Sequence, residues 1–244
     1  LQPYHATPTD AGYAADNAAH GLRADFTPEA VRITGPGWTW GWTFAGLGRS
    51  EASPATTPAT LSADANRVSY HRVGLTEWYI NDARGLEQGF DLATRPEGSG
   101  PLVIEGRVSG DLTMRQDGDA VLFLEAHGDV ALTYDKLYVL DATGRTLPAW
   151  LSTAGDRLRI HVDDARAIYP IIIDPLVSSP VLTVYGEQIG AHLGYDVASA
   201  GDVNGDGYDD VIVGIPSMNP FSLSEIIDGG QVNVYYGAED GFAC

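Results

Sequence analysis

The 244-residue chain has one cysteine, Cys244, two methionines and a single lysine, Lys136. One thiol excludes an internal disulfide framework. No run of about 18 apolar residues occurs, so no helix of the chain is expected to span a membrane. An initiator methionine and a signal peptide are both missing, which suggests a piece of something longer. No Asn-x-Ser/Thr sequon, Gly-x-Ser-x-Gly elbow or phosphate loop is present, and the six histidines form no pair at metal-ligand spacing. These absences weigh against an enzyme. Basic residues are also few and unevenly placed: all fourteen precede residue 167, whereas ten acidic residues and no Lys or Arg follow Ser178. A net charge of −19 with such a tail disfavours nucleic acid and anionic lipid as partners and attracts divalent cations.

What is present is β texture. Hydrophobic residues make up 44% of the chain, enough for a globular core rather than disorder. Residues 1–23 show no sustained period and are expected to be irregular, with at most a short helix near Ala14–Ala19 between Gly12 and Gly21. Beyond Ala24, Trp38, Trp40, Trp42 and Phe44 alternate with Thr39, Gly41 and Thr43, so period two sets four aromatics on one face of a strand. That ladder reads as the core face of a sandwich; the competing reading is an exposed platform for stacking sugars. Arg49–Leu61, rich in Ser, Pro, Ala and Thr, reads as a surface connector. Strand-like runs then recur about every ten residues between turn formers such as Ser109-Gly110-Asp111 and Asp117-Gly118-Asp119, a pattern that predicts an antiparallel β-sandwich over 24–178. Leu158, Ile160 and Val162 alternate with Arg157, Arg159 and His161, a half-buried strand. Glu77, Glu87 and Asp91 are the only acid/base candidates there; the expectation is that they face solvent or satisfy turns. Ile171–Leu176 closes the sandwich, and Ser178-Ser179-Pro180 reads as a linker.

In the remaining segment, 179–244, the sequence Gly201-Asp202-Val203-Asn204-Gly205-Asp206-Gly207-Tyr208-Asp209-Asp210 places oxygen side chains at alternate positions, with a glycine after the third. A hard cation such as Ca²⁺ takes about 6–8 oxygens, and alternate residues of a tight loop turn inward together. The spacing predicts a calcium site built from Asp202, Asn204, Asp206, the Tyr208 carbonyl and Asp210. An EF-hand would carry a carboxylate at the twelfth position and a following helix; here that position is Val213, within the β-branched run Val211–Ile215. The same run argues against a dockerin-type loop.

Leu193-Gly194-Tyr195-Asp196-Val197, the Asp202–Asp210 loop, Gly214-Ile215-Pro216 and Gly230–Gly237 together resemble one FG-GAP repeat, the unit of the seven-bladed propeller of integrin α-chains and of many secreted bacterial proteins. Leu193-Gly194 stands where that family has Phe-Gly, and Gly214-Ile215-Pro216 where it has Gly-Ala-Pro. The resemblance implies that the five oxygens of the loop hold calcium between the first two strands of a blade and that Asp209 points away. It also implies further repeats downstream, or a ring latched by Val181–Tyr185. Gly74–Asn81, Gly85–Phe90 and Tyr169–Leu176 are similar to an all-β domain that precedes repeat arrays in large secreted bacterial proteins.

The sequence therefore leads to an all-β chain, a sandwich followed by the first part of a propeller. The function expected is a non-enzymatic, secreted or cell-surface adhesion or scaffold protein stabilised by Ca²⁺, with a protein or glycan partner. The alternatives are a glycan- or lipid-binding accessory module of a secreted hydrolase, and a spacer in a surface filament.

Overall fold

The computed structural model describes residues 4–49, 51–54, 59–178, 184, 186, 188, 190–218, 229–238 and 241–243. The chain divides into two units, Leu1–Pro180 and Val181–Cys244.

The first unit is all antiparallel. Its chain lays down β1 (Thr7–Thr9), β2 (Gly12–Asn17), β3 (Leu22–Phe26), β4 (Val31–Gly35), β5 (Trp38–Arg49) and β6 (Glu51–Pro54), then crosses to a second sheet for β7 (Thr60–Asp64), β8 (Arg67–Arg72), β9 (Leu75–Asp82) and β10 (Gly85–Leu92). It continues with β11 (Leu102–Gly110), β12 (Thr113–Asp117), β13 (Ala120–Leu124), β14 (Val130–Asp141), β15 (Ala149–Ala154), β16 (Arg157–Val162) and β17 (Ile171–Ser178). Sheet I has the order β1-β2-β3-β4-β5-β11-β16-β15, with β6 also on β5; sheet II runs β12-β13-β14-β17-β10-β9-β8-β7. The long β5 takes β4 beside its first half and β6 beside its second, while β11 lines its other edge.

The two sheets share one core. Trp38, Trp40, Trp42 and Phe44 are all buried, so the aromatic ladder is the inner face of β5. It meets sheet II through Trp40 against Phe123, ring centroids 5.5 Å apart at 74°, and Trp42 stacked near Tyr134 at 6.4 Å. Such edge-to-face and offset contacts add to the burial of large apolar surface. Glycines make room for the indoles: a methyl group at Gly106 would collide with the ring of Trp42, one at Gly35 with Trp38, and one at Gly89 with Trp78. A glycine in a strand exposes its backbone, and each indole here covers that gap.

Three expectations need correction. The segment 1–23, of which residues 4–23 are described, is not an irregular one: it supplies β1, β2 and the start of β3, because Ala14, Ala15 and Asn17 are buried and β2 pairs with both neighbours. The helix near Ala14–Ala19 shrinks to one 3₁₀ turn, Ala18–His20, capped by the Asn17 side chain and ended by Gly21 in the left-handed region (φ 60°). The Arg49–Leu61 connector contributes β6 and the start of β7. β15, whose small residues give no clear period, is a further strand, drawn in by full pairing with β16.

The second unit carries one sheet of order β18-β19-β20-β21, with β18 (Val197–Gly201), β19 (Asp210–Ile215), β20 (Gln231–Ala238) and β21 (Gly241–Ala243). The β-branched run after the loop is thus a strand and not a helix, as its propensity requires. The Val181–Tyr185 segment lies largely outside the described residues, as does Cys244.

Candidate metal-binding loop

The loop joins β18 to β19. Gly201, Gly205 and Gly207 have φ of 67°, 79° and 94°. At Gly207 nothing lies within 4 Å of where a Cβ would stand, so the positive φ, and not crowding, selects glycine there. This left-handed step folds the backbone N–H groups inward around Asp202. Its Oδ1 accepts from Gly205 N at 2.7 Å and Asp206 N at 3.0 Å, and its Oδ2 accepts from Gly207 N at 2.9 Å. Asn204 lies against Asp206: Asn204 Oδ1 accepts from Asp206 N at 3.0 Å, and Asn204 Nδ2 donates to Asp206 Oδ2 at 2.7 Å. Asp206 Oδ1 accepts from Tyr208 N at 2.9 Å.

Asp210 stands apart from these exposed groups. It is 0% exposed and opens β19. One of its oxygens accepts from Val203 N at 2.8 Å, and the other from Gly237 N at 2.8 Å. The carboxylate thereby ties the loop to β20. Gly237 has no room for a side chain, since a Cβ would run into the Asp209 carbonyl. Spacing alone marks Asp210 as a ligand and misses this anchoring role. Its signal in the sequence is Gly237, because a glycine inside a strand marks close backbone approach.

Asp202, Asn204 and Asp206 are therefore brought together, with Tyr208 at the loop's exit and Asp210 beneath it. Among the described residues no group of three or more His, Cys, Asp or Glu side chains is spaced as a ready metal cage, because these carboxylates are turned to backbone donors. The chemistry of the donor set nevertheless fits a hard cation. It contains only oxygens, and no Lys or Arg follows Arg166 to balance four carboxylates within nine residues, three of them in the donor set.

The remaining candidates do not converge. Glu77 is 1% exposed and faces the core, contrary to the expectation of a solvent-facing acid. Its Oε1 accepts from Trp42 Nε1 at 2.8 Å, Tyr79 OH at 2.7 Å and Gln88 Nε2 at 3.0 Å; its Oε2 accepts from Arg72 at 2.8 Å. Gln88 in turn accepts from Tyr134 OH at 2.7 Å. Burial first, and then the Glu77 charge, pushes both tyrosine hydroxyls well above their ordinary range. This closed network holds the two sheets in register. Glu87 and Asp91 point to the opposite face of sheet II. Four residues of strand separate them by roughly 13 Å, beyond the ~5–9.5 Å that paired glycosidase carboxylates require. The aromatic ladder likewise offers no exposed platform.

The elements β18 to β20, with the oxygen-rich loop between the first two, coincide with the match to a known family: the FG-GAP repeat, over residues 193–235. Residues 193–235 are an FG-GAP repeat. No curated protein and no solved structure matches the chain. The FG-GAP repeat exposes apolar residues on one face of its sheet, with Val232, Val234 and Tyr236 in alternation on β20. Its other face keeps Ile215 and Tyr235 buried.

Proposed function

We propose that this is a non-enzymatic, secreted or cell-surface adhesion or scaffold protein whose FG-GAP repeat is held by calcium. The observation that carries the reading is the loop itself: Asp202, Asn204 and Asp206 folded together by left-handed glycines in a unit without one Lys or Arg. Asp202, Asn204, Asp206 and Asp210 would hold the ion together with the Tyr208 carbonyl. Bound calcium would neutralise the clustered carboxylates and hold the turn between β18 and β19. The chain's own contribution is already in place: Gly205–Gly207 orient Asp202, and Asp210 links the turn to β20. An affinity on the order of 10⁻⁴–10⁻³ M suits an extracellular module. The exposed face of β20 supports packing against further repeats, as propeller blades require neighbours. The recognition surface for a protein or glycan partner would lie away from the ion, whose role is structural.

Thermal unfolding with and without calcium tests this. At calcium about twenty times the dissociation constant, the FG-GAP repeat gains roughly 2 kcal/mol, seen as a higher Tm that a chelator reverses. Asp206→Ala removes most of the rise, and Asp209→Ala leaves it nearly intact. A Tm indifferent to calcium would sink the proposal.

A further inference from the structure

A wide opening on the first unit sits where the chain leaves sheet II for sheet I. Residues 145–148 run along β14, with Thr146 bridged to Leu140 and Leu147 N donating to Val139 O at 2.9 Å, before β15 begins. A cleft of about 480 Å³ opens beside this crossover, lined among others by Arg145, Thr146, Pro148, Asp163 and Arg166. That volume falls within the ~300–1,000 Å³ of small-ligand sites.

Two exposed aromatic rings neighbour residues of the cleft wall, each from the outer face of its own sheet. Tyr138 is 49% exposed, and its OH accepts from Thr146 Oγ1 at 3.2 Å. Trp150 is 42% exposed and lies two residue pairs along from the cleft wall: Asp163 N donates to Pro148 O at 2.8 Å, Ala149 is opposite Val162, and Trp150 is opposite His161. Strand alternation sends Pro148, Trp150, His161 and Asp163 to one side. The Trp150 ring is supported from beneath by His161, stacked at 5.1 Å and 3°, which is itself bonded through Nε2 to Ser152 Oγ at 2.7 Å. Its orientation is therefore fixed while its outer face stays open.

The polar groups of the cleft are complementary in kind. Arg145 is engaged by Asp141 at 2.7 Å and by the Arg166 carbonyl. The guanidinium of Arg166 makes no hydrogen bond or ion pair among the described residues. Asp163 accepts from Ala165 N at 3.2 Å with one carboxylate oxygen, which leaves the other available. A fork of donors, a carboxylate acceptor and a hydroxyl next to the exposed ring of Trp150 match a pyranose chain, which has C–H faces and hydroxyl edges. The Arg166 guanidinium adds a bidentate partner for a carboxylate.

We propose that this cleft binds an oligosaccharide carrying uronic-acid units, with a sugar face on Trp150 and a carboxylate on Arg166. The site goes beyond the calcium reading and lies wholly in the first unit, so a failed calcium titration would leave it standing and its own failure would not touch the loop. Titration calorimetry of the full chain with tetragalacturonate, with maltotetraose as the neutral comparison, tests it. The acidic tetrasaccharide binds the more tightly of the two. Trp150→Ala weakens it about tenfold or more, because the stacking face is gone. Arg166→Gln, a surface change that leaves the core alone, weakens the acidic ligand and not the neutral one. No binding of tetragalacturonate at about 10 mM, unchanged binding by Trp150→Ala, or equal affinity for the neutral chain would overturn the proposal.

Discussion

At the scale of single residues, the buried carboxylates divide by what surrounds them. Glu77 meets a donor at every turn, so Glu77→Ala would leave Arg72 beside an emptied site and take the acceptor from Tyr79 OH and from Trp42 Nε1. Breaking a buried pair from one side costs about 3–5 kcal/mol, which denaturant unfolding would register. Asp174 shows the opposite case. Burial, and then the neighbouring Glu87 carboxylate, pushes it up to about 7, against a smaller pull from Arg84. The folded protein then keeps a proton that the unfolded chain releases near pH 4. Linkage fixes the sign: this group's contribution is full below about pH 4, falls as pH rises, and is lost above about 7. Asp174→Asn is expected to flatten the stability profile across that window, measured by unfolding midpoints at a series of pH values; an unchanged slope would contradict it. Asp141 runs the other way. Its bonds from Thr143, with support from Ile168 N and Arg145, hold it far below the usual carboxylate range despite burial, so its contribution disappears only in strong acid. Apart from Tyr79, two residues along the strand from Glu77, these partners are not legible in the sequence, because they come from residues distant in the chain or from a turn whose path the fold alone determines.

At the scale of elements, legibility follows periodicity. The alternation Trp38-x-Trp40-x-Trp42-x-Phe44 is strong enough to mark a face of β5 without a structure, and the structure places that face in the core. The outer strands of sheet I are harder. β1, β2 and β15 consist mostly of small or polar residues, and their strand character comes from the neighbour they pair with. The inward turn of Glu77 is hidden for a related reason: alternation shows that Leu75, Glu77 and Tyr79 share a face, but polarity suggests the wrong side. The tryptophan-over-glycine contacts give a test at this scale. Gly106→Ala forces the Trp42 ring off its seat and is expected to cost about 1–3 kcal/mol, as overpacking does. Gly118→Ala, at an open turn with φ of 57°, carries only a left-handed backbone penalty, on the order of 1 kcal/mol. Equal losses for the two would show that the indole contact is not what fixes Gly106. In the FG-GAP repeat, Gly237→Ala meets the Asp209 carbonyl and would loosen β20 from the loop, visible as faster amide exchange along Gln231–Ala238.

For the molecule as a whole, the units differ in how they are held. The sandwich has a continuous apolar core with several buried polar groups set in it, two clusters among them. One is centred on Glu77; the other is Asp164, bound by Arg49 and Tyr169 with Arg95 nearby. The FG-GAP repeat has a small buried set, an exposed apolar face, and a loop of carboxylates facing backbone donors with no basic residue to balance them. The loop's positions are legible because alternating oxygens and an obligatory glycine are local features. The anchoring of Asp210 on Gly237 is not, since it joins positions 27 residues apart. The most direct test of the account is calcium-binding calorimetry on the full chain beside its Asp202→Asn and Asp206→Ala variants. The account predicts one ion per chain, at a dissociation constant on the order of 10⁻⁴–10⁻³ M, with binding lost in both variants. No heat of binding in the parent chain, or binding that persists in both variants, would contradict it.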